Sequence, residues 1–177
     1  MTTVDTPTRT PTVRAAEDGE RRWFHGGGTH TWKATAEDTG GAFLLFEMTL
    51  DQGKATPLHT HPDSDETMYV LDGEILVHID GQEHRIGPRG LASAPRGVPH
   101  AFAVVSEMAH VLCLHTPGCC QAFYWDASEP ITDDHPACEL VDFERVRASA
   151  QKNGGIEILG PPPFAPPLPD ENLGREL

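Results

Sequence analysis

Three histidines and one glutamate in this chain have the residue types and spacing of metal ligands. His59 and His61 are separated by one residue. On a strand both imidazoles therefore point to the same face, with attachment points about 6.5 Å apart. Glu66 follows the Pro-Asp-Ser-Asp turn, and a strand folded back antiparallel would bring its carboxylate opposite the two imidazoles. Two histidines and a carboxylate are the coordination of many non-haem iron sites.

A fourth ligand is predicted further along the chain. His100 begins the strand-like segment HAFAVV, just after a turn marked by Pro95 and Gly97. If the sheet closes into a barrel, this imidazole joins the other three groups. Three imidazoles and one carboxylate leave about two positions free on a six-coordinate ion, enough for water, substrate or dioxygen. Such ligands accept iron, nickel, manganese, cobalt, copper or zinc, so we predict a divalent transition metal of undefined identity.

Short segments rich in β-branched and aromatic residues surround these ligands and are separated by turn residues. The dipeptides Asp72-Gly73 and Asp80-Gly81 are typical of tight hairpins. Many short antiparallel strands without alternating helices indicate an all-β sandwich or barrel. Some apolar strand residues are expected to line a pocket beside the ion, although all are first of all core residues. They are Phe43, Leu45, Met68, Val70 and Phe102.

One helix is predicted near the C-terminal end. Asp142 caps the segment FERVRASAQK, whose apolar stripe packs on the outside of the barrel, and Asn153-Gly154 ends it. We expect a flexible arm over residues 1–20 and a barrel over 21–138. The helix and a short strand follow over 139–160, and a proline-rich tail of extended character over 161–177.

The remaining histidines and the four cysteines are not expected to take part in chemistry. The adjacent pair Cys119 and Cys120 suits neither a redox motif nor a zinc knuckle, so all four cysteines are read as free thiols. A single histidine in a strand is usually an ordinary surface or core residue. This interpretation applies to His25, His30, His78, His84, His110, His115 and His135.

Charge and hydropathy restrict the partners. The chain has 27 acidic and 13 basic residues, for a formal net charge of −14. Such a charge repels nucleic-acid phosphates and anionic lipid surfaces, so neither is expected as a partner. No apolar run approaches the roughly 20 residues of a membrane span, and the first residues lack the apolar segment of a secretory signal. We expect a cytoplasmic protein that binds a small molecule.

The ligand segment resembles the first motif of the cupin superfamily, G-x5-H-x-H-x4-E-x6-G. Gly53, His59, His61, Glu66 and Gly73 match it at every position. The resemblance implies a double-stranded β-helix, or jelly-roll, barrel, here with one C-terminal helix and extended terminal arms. It also implies the metal ligand set His59, His61, Glu66 and His100.

The second cupin motif, G-x5-P-x-G-x2-H-x3-N, is matched in part. Pro95, Gly97 and His100 fit it, whereas Gly90 lies one residue too close and Val104 replaces the final asparagine. Neither departure affects a ligand. Over roughly residues 22–165 the chain is similar to small single-domain, quercetinase-like cupins, which implies frequent homodimerisation.

The leading functional hypothesis is a metal-dependent dioxygenase of a small aromatic or enolic substrate. The resemblance gives Glu66 the catalytic role of accepting the substrate's proton, while the three histidines hold the ion. Two alternatives remain open at this point: a metal-dependent isomerase, cyclase or lyase that uses no oxygen, and a non-catalytic cupin that binds a metal or small ligand. One fold hosts many activities, so the fold alone does not choose among them.

Overall fold

The computed structural model describes residues 11–137 and 140–164. Its strands are β1 Glu20–Phe24, β2 Thr29–Ala34, β3 Leu44–Asp51, β4 Leu58–Thr60, β5 Asp65–Asp72, β6 Ile75–Ile79, β7 Gln82–Ile86, β8 Leu91–Ala94, β9 His100–Val104, β10 Met108–Thr116, β11 Ser128–Pro130 and β12 Glu157–Gly160. Its helices are α1 Ala36–Thr39, α2 Gln121–Asp126 and α3 Phe143–Asn153.

The strands form two facing antiparallel sheets. The larger sheet has the order β11-β1-β2-β3-β10-β5-β8, and the smaller has the order β12-β4-β9-β6-β7. Residues alternate between buried and partly or fully exposed along β3, β5 and β10, as strands with one face on a core must. The buried apolar side chains of both sheets pack together between them. The all-β jelly-roll prediction is confirmed.

One predicted hairpin is confirmed and the other is wrong. Asp80 and Gly81 connect β6 to β7 with positive φ angles of 48° and 78°, as a two-residue hairpin turn requires. By contrast, β5 and β6 on either side of Gly73 belong to different sheets. The dipeptide is therefore a corner at which the chain crosses from one wall to the other.

Close packing explains why glycine occupies this corner. Gly73 has a φ of 75°, and a Cβ atom there would lie 2.1 Å from the Met108 carbonyl oxygen and 2.8 Å from the Ala109 Cα. The corner is also held by Ser106, whose hydroxyl accepts a hydrogen bond from the Glu74 amide at 2.8 Å. Backbone contacts with the neighbouring strand, rather than a cross-strand pair, define the turn.

The predicted C-terminal helix is present, and two short helices were not predicted. The Asp142 carboxylate accepts a hydrogen bond from the Arg145 amide at the start of α3, and Gly154 follows its last residue with a φ of 65°. On its buried face Val146 packs into the core, whereas Phe143 is 50% exposed. Helices α1 and α2 span only four and six residues, too short to show a helical period.

The terminal segments lie partly outside the described residues, as does Cys138, so the domain boundaries stay predictions. Within the predicted N-terminal arm, Arg14 pairs with Asp38 at 3.0 Å. Cys113, Cys119 and Cys120 are free thiols, as predicted. None of the helices in the described ranges has both the length and the apolar character needed to cross a bilayer.

Alanine substitutions at two glycines test the corner. Gly73→Ala should lower the free energy of unfolding by more than about 3 kcal/mol, because a methyl group there overlaps backbone atoms as well as straining φ. Gly81→Ala meets no atom within 4 Å and should cost only the conformational strain, about 1 kcal/mol. Urea denaturation of both variants measures the difference, and equal losses would contradict this account of the corner.

Candidate metal centre

The four predicted ligands come from both walls of the barrel. His59 on β4 lies directly opposite His100 on β9 in the smaller sheet, and His61 follows immediately after β4. Glu66 comes from β5 in the larger sheet, where it lies opposite His115. The expectation that β4 and β5 pair as antiparallel neighbours is therefore wrong. The carboxylate reaches the imidazoles across the interior between the sheets.

The structure brings these four side chains together in the core. Glu66 Oε2 lies 2.7 Å from His100 Nε2, 3.3 Å from His61 Nε2 and 3.8 Å from His59 Nε2. One ligand atom from each residue lies within 4.8 Å of all the others. Each of the four residues is at most 5% exposed. These four residues would therefore shield a single ion bound between them from bulk water.

Backbone carbonyl groups fix the orientation of all three imidazoles. Each Nδ1 atom lies 2.6–2.8 Å from a carbonyl oxygen. Because a carbonyl only accepts, Nδ1 carries the proton and the Nε2 lone pair of the neutral ring is available to a metal. The acceptors are Pro57 for His59, Gly155 for His61 and Val98 for His100.

A glycine in the loop after α3 allows one of these contacts. Gly155 has a φ of 79°, and a Cβ atom there would lie 2.9 Å from Cys120. Only a residue without a side chain permits this close approach, which places the Gly155 carbonyl 2.6 Å from His61 Nδ1. The C-terminal helix and its following loop therefore help to position a ligand that lies 94 residues earlier in the chain.

The second-motif turn connects two of the ligand segments. The Gly97 amide donates to the His61 carbonyl at 2.9 Å, and the Arg96 amide donates to Asp65 at 2.8 Å. The Arg96 guanidinium binds the same carboxylate at 3.1 Å. Asp65 is thus bound to this turn rather than to the ligand cluster, in line with its interpretation as a turn residue. The turn fixes His61 and the start of β5 relative to His100.

Electrostatics in the cluster centre on Glu66. Burial alone would raise the pKa of this carboxyl group. The imidazoles of His100, His59 and His61 outweigh that effect and hold the pKa well below its usual range. Burial is also the main cause that lowers the pKa of His59. An ionised carboxylate beside three imidazole nitrogens is a donor set for a divalent cation.

Sequence reasoning missed a second set of buried polar groups beside the cluster. His115 Nε2 lies 2.9 Å from the Tyr124 hydroxyl and 3.8 Å from Glu66 Oε1, while the Cys113 thiol donates to the same oxygen at 3.3 Å. Burial lowers the pKa of His115 to about 3, so its ring is neutral. The alternation of residues along β10 could have indicated these groups, since it places Cys113 and His115 on the buried face.

A cavity of about 50 Å³ opens beside the cluster. Its wall is mostly apolar and aromatic, but it also includes Glu66, His59, His30, Lys54 and Tyr124. Two of the ligands therefore face the cavity. The apolar and aromatic lining residues include Phe24, Met48, Leu50, Phe102, Phe123 and Ile156.

Of the five apolar residues expected to line a pocket, Phe102 lies on the cavity wall. Met68 and Val70 are fully buried in the core and do not contribute to the cavity wall. Phe43 precedes β3 and Leu45 lies on its outer face, because the inward positions of that strand begin at residue 44. A shift of one residue along a strand reverses the face, so Leu44 rather than Leu45 points inward.

The residues present fit a divalent transition-metal ion. Three Nε2 atoms and one carboxylate converge, each imidazole is oriented through Nδ1, and His61 Nε2 has no hydrogen-bond partner although it is buried. A buried nitrogen without a partner is costly unless another group, such as a metal ion, satisfies it. The structure therefore shows a donor set suited to a metal and leaves the identity of the metal open.

Comparison with known proteins gives a family and a distant relative. Residues 46–115 match the family model of the cupin domain. Over 143 residues the chain is 29% identical to quercetin 2,3-dioxygenase of Bacillus subtilis (strain 168), covering 79% of this chain and 42% of that enzyme. The chain thus spans less than half the length of this relative.

Solved structures show the same fold. KdgF from Halomonas sp. has a TM-score of 0.55 at 19% identity, over 61% of this chain and 94% of that one. A predicted oxalate decarboxylase of Thermotoga maritima has a TM-score of 0.54 at 22% identity, over 60% and 99%. An RmlC-like cupin from Shewanella frigidimarina has a TM-score of 0.54 at 17% identity, over 62% and 93%. Identities this low show the fold alone.

Two facing antiparallel sheets around a buried cluster of three histidines and a glutamate define a double-stranded β-helix protein with a candidate metal centre. More specifically, residues 46–115 match the family model of the cupin domain, and the chain is similar to a quercetin 2,3-dioxygenase.

Removal of one imidazole tests the candidate centre. His61→Ala should abolish stoichiometric metal binding, because it deletes one of the three imidazoles around Glu66 Oε2 together with its Nδ1 support. Elemental analysis of the purified variant measures the metal content. The control is His110→Ala, which removes a partly exposed imidazole paired with Glu47 on the outer face of β10. A full metal equivalent in the His61 variant would refute the site.

Proposed function

We propose that this protein is a metal-dependent oxygenase of a small aromatic or enolic substrate. The single observation that supports it best is the cavity, which carries Glu66 and His59 on a wall that is otherwise mostly apolar and aromatic. A substrate in this cavity contacts the candidate metal centre directly. Distant homology to quercetin 2,3-dioxygenase supports the same class of reaction, since that relative is named for a dioxygenase activity.

The cavity wall determines what kind of molecule is accepted. Phe24, Phe102 and Phe123 present flat apolar surfaces, which favour a planar, weakly polar body. An apolar wall also excludes water, which protects reactive species and strengthens electrostatic interactions inside the site.

Glu66 has the position of a general base. Its carboxylate lies on the cavity wall, so it can accept the proton of a substrate hydroxyl and favour the enolate or phenolate form. The Cys113 thiol donates to Oε1, while Oε2 faces the three imidazoles, so the two oxygens have different surroundings. A bound divalent metal supplies Lewis acidity and a template for substrate and dioxygen. His59, His61 and His100 hold that centre in place.

Oxygen uptake tests the proposal. Metal-loaded protein is mixed with a panel of flavonols and 1,3-diketones while dissolved oxygen is recorded with an electrode. We expect at least one compound to be consumed with one equivalent of oxygen and no turnover under anaerobic conditions. Conversion of the panel without oxygen uptake would contradict the proposal in favour of an isomerase or cyclase. Tight binding without any conversion would contradict it in favour of a binding protein.

A conservative change at the proposed base provides a separate prediction. Glu66→Gln should retain part of the metal, because three imidazoles and an amide oxygen remain, yet lose turnover by a factor of about 100 or more, the usual worth of a general base. Steady-state rates normalised to metal content measure the loss. Glu47→Gln, which neutralises a carboxylate outside the cavity, is the matched control. Wild-type rates in the Glu66 variant would show that this carboxylate does not act as the general base.

A further inference from the structure

One cation on the cavity wall has no carboxylate partner among the described residues. Lys54, in the segment between β3 and β4, is partly buried and lines the cavity together with Glu66 and His59. Its ammonium group donates to the Gly26 carbonyl and lies 5.9 Å from the centre of the Phe24 ring. Both are weaker partners than an anion, and the carboxylate on the cavity wall, that of Glu66, makes its ion pairs with imidazoles instead.

The setting makes this arrangement unusual. The chain has more than twice as many acidic as basic residues, so a lysine on the surface would readily find an acidic neighbour. Burial lowers the pKa of Lys54 to about 8, which reflects the cost of keeping its charge away from water. A ligand that carries a negative charge into the cavity would remove this cost. Buried charges in proteins are normally paired, and here the pairing group is missing from the described chain.

The groups next to Lys54 also favour a planar anion. The Phe24 ring stacks on the His30 ring with centres 4.8 Å apart and planes 16° apart, and His30 stacks in turn on Phe46 at 4.9 Å. Burial lowers the pKa of His30 to about 3, so this imidazole is neutral and is available as a hydrogen-bonding group rather than as a second charge. A flat molecule placed against this stack can direct one charged oxygen to Lys54.

We propose that Lys54 binds an anionic oxygen of the substrate, and that the substrate is therefore a small planar oxyanion, either a carboxylate or an enolate. This inference rests on the proposed function, because it treats the same cavity as the substrate site. It adds that recognition depends on one lysine, whereas the ligand cluster holds the metal. Lys54 is thus a specificity-determining residue for this cavity.

Matched pairs of probes test the charge preference. Acetate and acetamide have nearly the same shape and differ in charge, and pentane-2,4-dione forms an enolate whereas pentan-2-one does not. Binding of each probe to the metal-loaded protein is measured by NMR titration. We expect wild-type protein to prefer the anionic member of at least one pair by about ten- to hundredfold, as for a charge-assisted hydrogen bond. The pair that shows the larger preference identifies the oxyanion as a carboxylate or an enolate.

Variants separate Lys54 from the metal, which also attracts anions. Lys54→Met keeps the length of the side chain and should reduce the preference at least tenfold while the metal content stays at one equivalent. Lys54→Arg should retain the preference. Lys152→Met, which removes an exposed lysine paired with Asp126, should match wild type. An unchanged preference in Lys54→Met would overturn the proposal, and so would no preference in wild type.

Measuring anion affinity over a range of pH gives a second test of Lys54. This test does not require that the variant lose any folded structure. The other titratable groups on the cavity wall are His30, His59, Glu66 and Tyr124. Burial lowers the pKa of both histidines and raises the pKa of Tyr124 well above its usual value. The pKa of Glu66 lies well below the usual value for a glutamate. The affinity ratio of wild type to Lys54→Met for the anion should therefore fall towards one as the pH rises through about 8. A constant ratio would contradict the role of Lys54.

The outcomes for Lys54 and for the oxygenase proposal are distinguishable. Absence of oxygen uptake with a persisting, Lys54-dependent anion preference would leave an anion-binding cavity without oxygenase activity. Oxygen uptake with the same anion preference in wild type and Lys54→Met would preserve the oxygenase and remove the assigned role of the lysine.

Discussion

The arrangement of this molecule depends on the meeting of three imidazoles and one carboxylate across the interior of the barrel. Glu66 belongs to the larger sheet and the histidines to the smaller sheet and its following turn, so the cluster forms only when the two sheets face each other. Burying these groups without a partner for each would be costly. Backbone carbonyls supply partners for the three Nδ1 atoms, whereas His61 Nε2 has no hydrogen-bond partner and is left for a metal ion to satisfy.

Much of this cluster could be predicted from the sequence, because its ligands are encoded locally. His59 and His61 share a face by strand periodicity, and Glu66 and His100 follow turns whose proline and glycine residues are visible in the sequence. The hairpin at Asp80-Gly81 and the helix capped by Asp142 were predictable for the same reason. In each case neighbouring residues carry the whole signal.

Contacts between distant segments could not be predicted in this way. Gly73 turns a corner rather than a hairpin because of backbone atoms near residue 108, and Gly155 supports His61 from 94 residues away. The inward face of β3 depends on where pairing with β10 begins, so local spacing alone does not decide whether Leu44 or Leu45 points inward. Alternation along β10 indicates that His115 points inward, but its place beside Glu66 depends on the pairing of β10 with β5. Tyr124 joins the site through the position of α2.

The most direct test of this account is X-ray absorption spectroscopy at the edge of the bound metal. Three imidazole nitrogens and one carboxylate oxygen predict a shell of nitrogen and oxygen neighbours at about 2.0–2.2 Å, with the outer-shell scattering typical of imidazole and no sulfur. A second group of potential ligands, His61, His115 and Cys120, lies beside the first. A sulfur neighbour at about 2.3 Å would show that the ion binds there instead and would contradict the central claim.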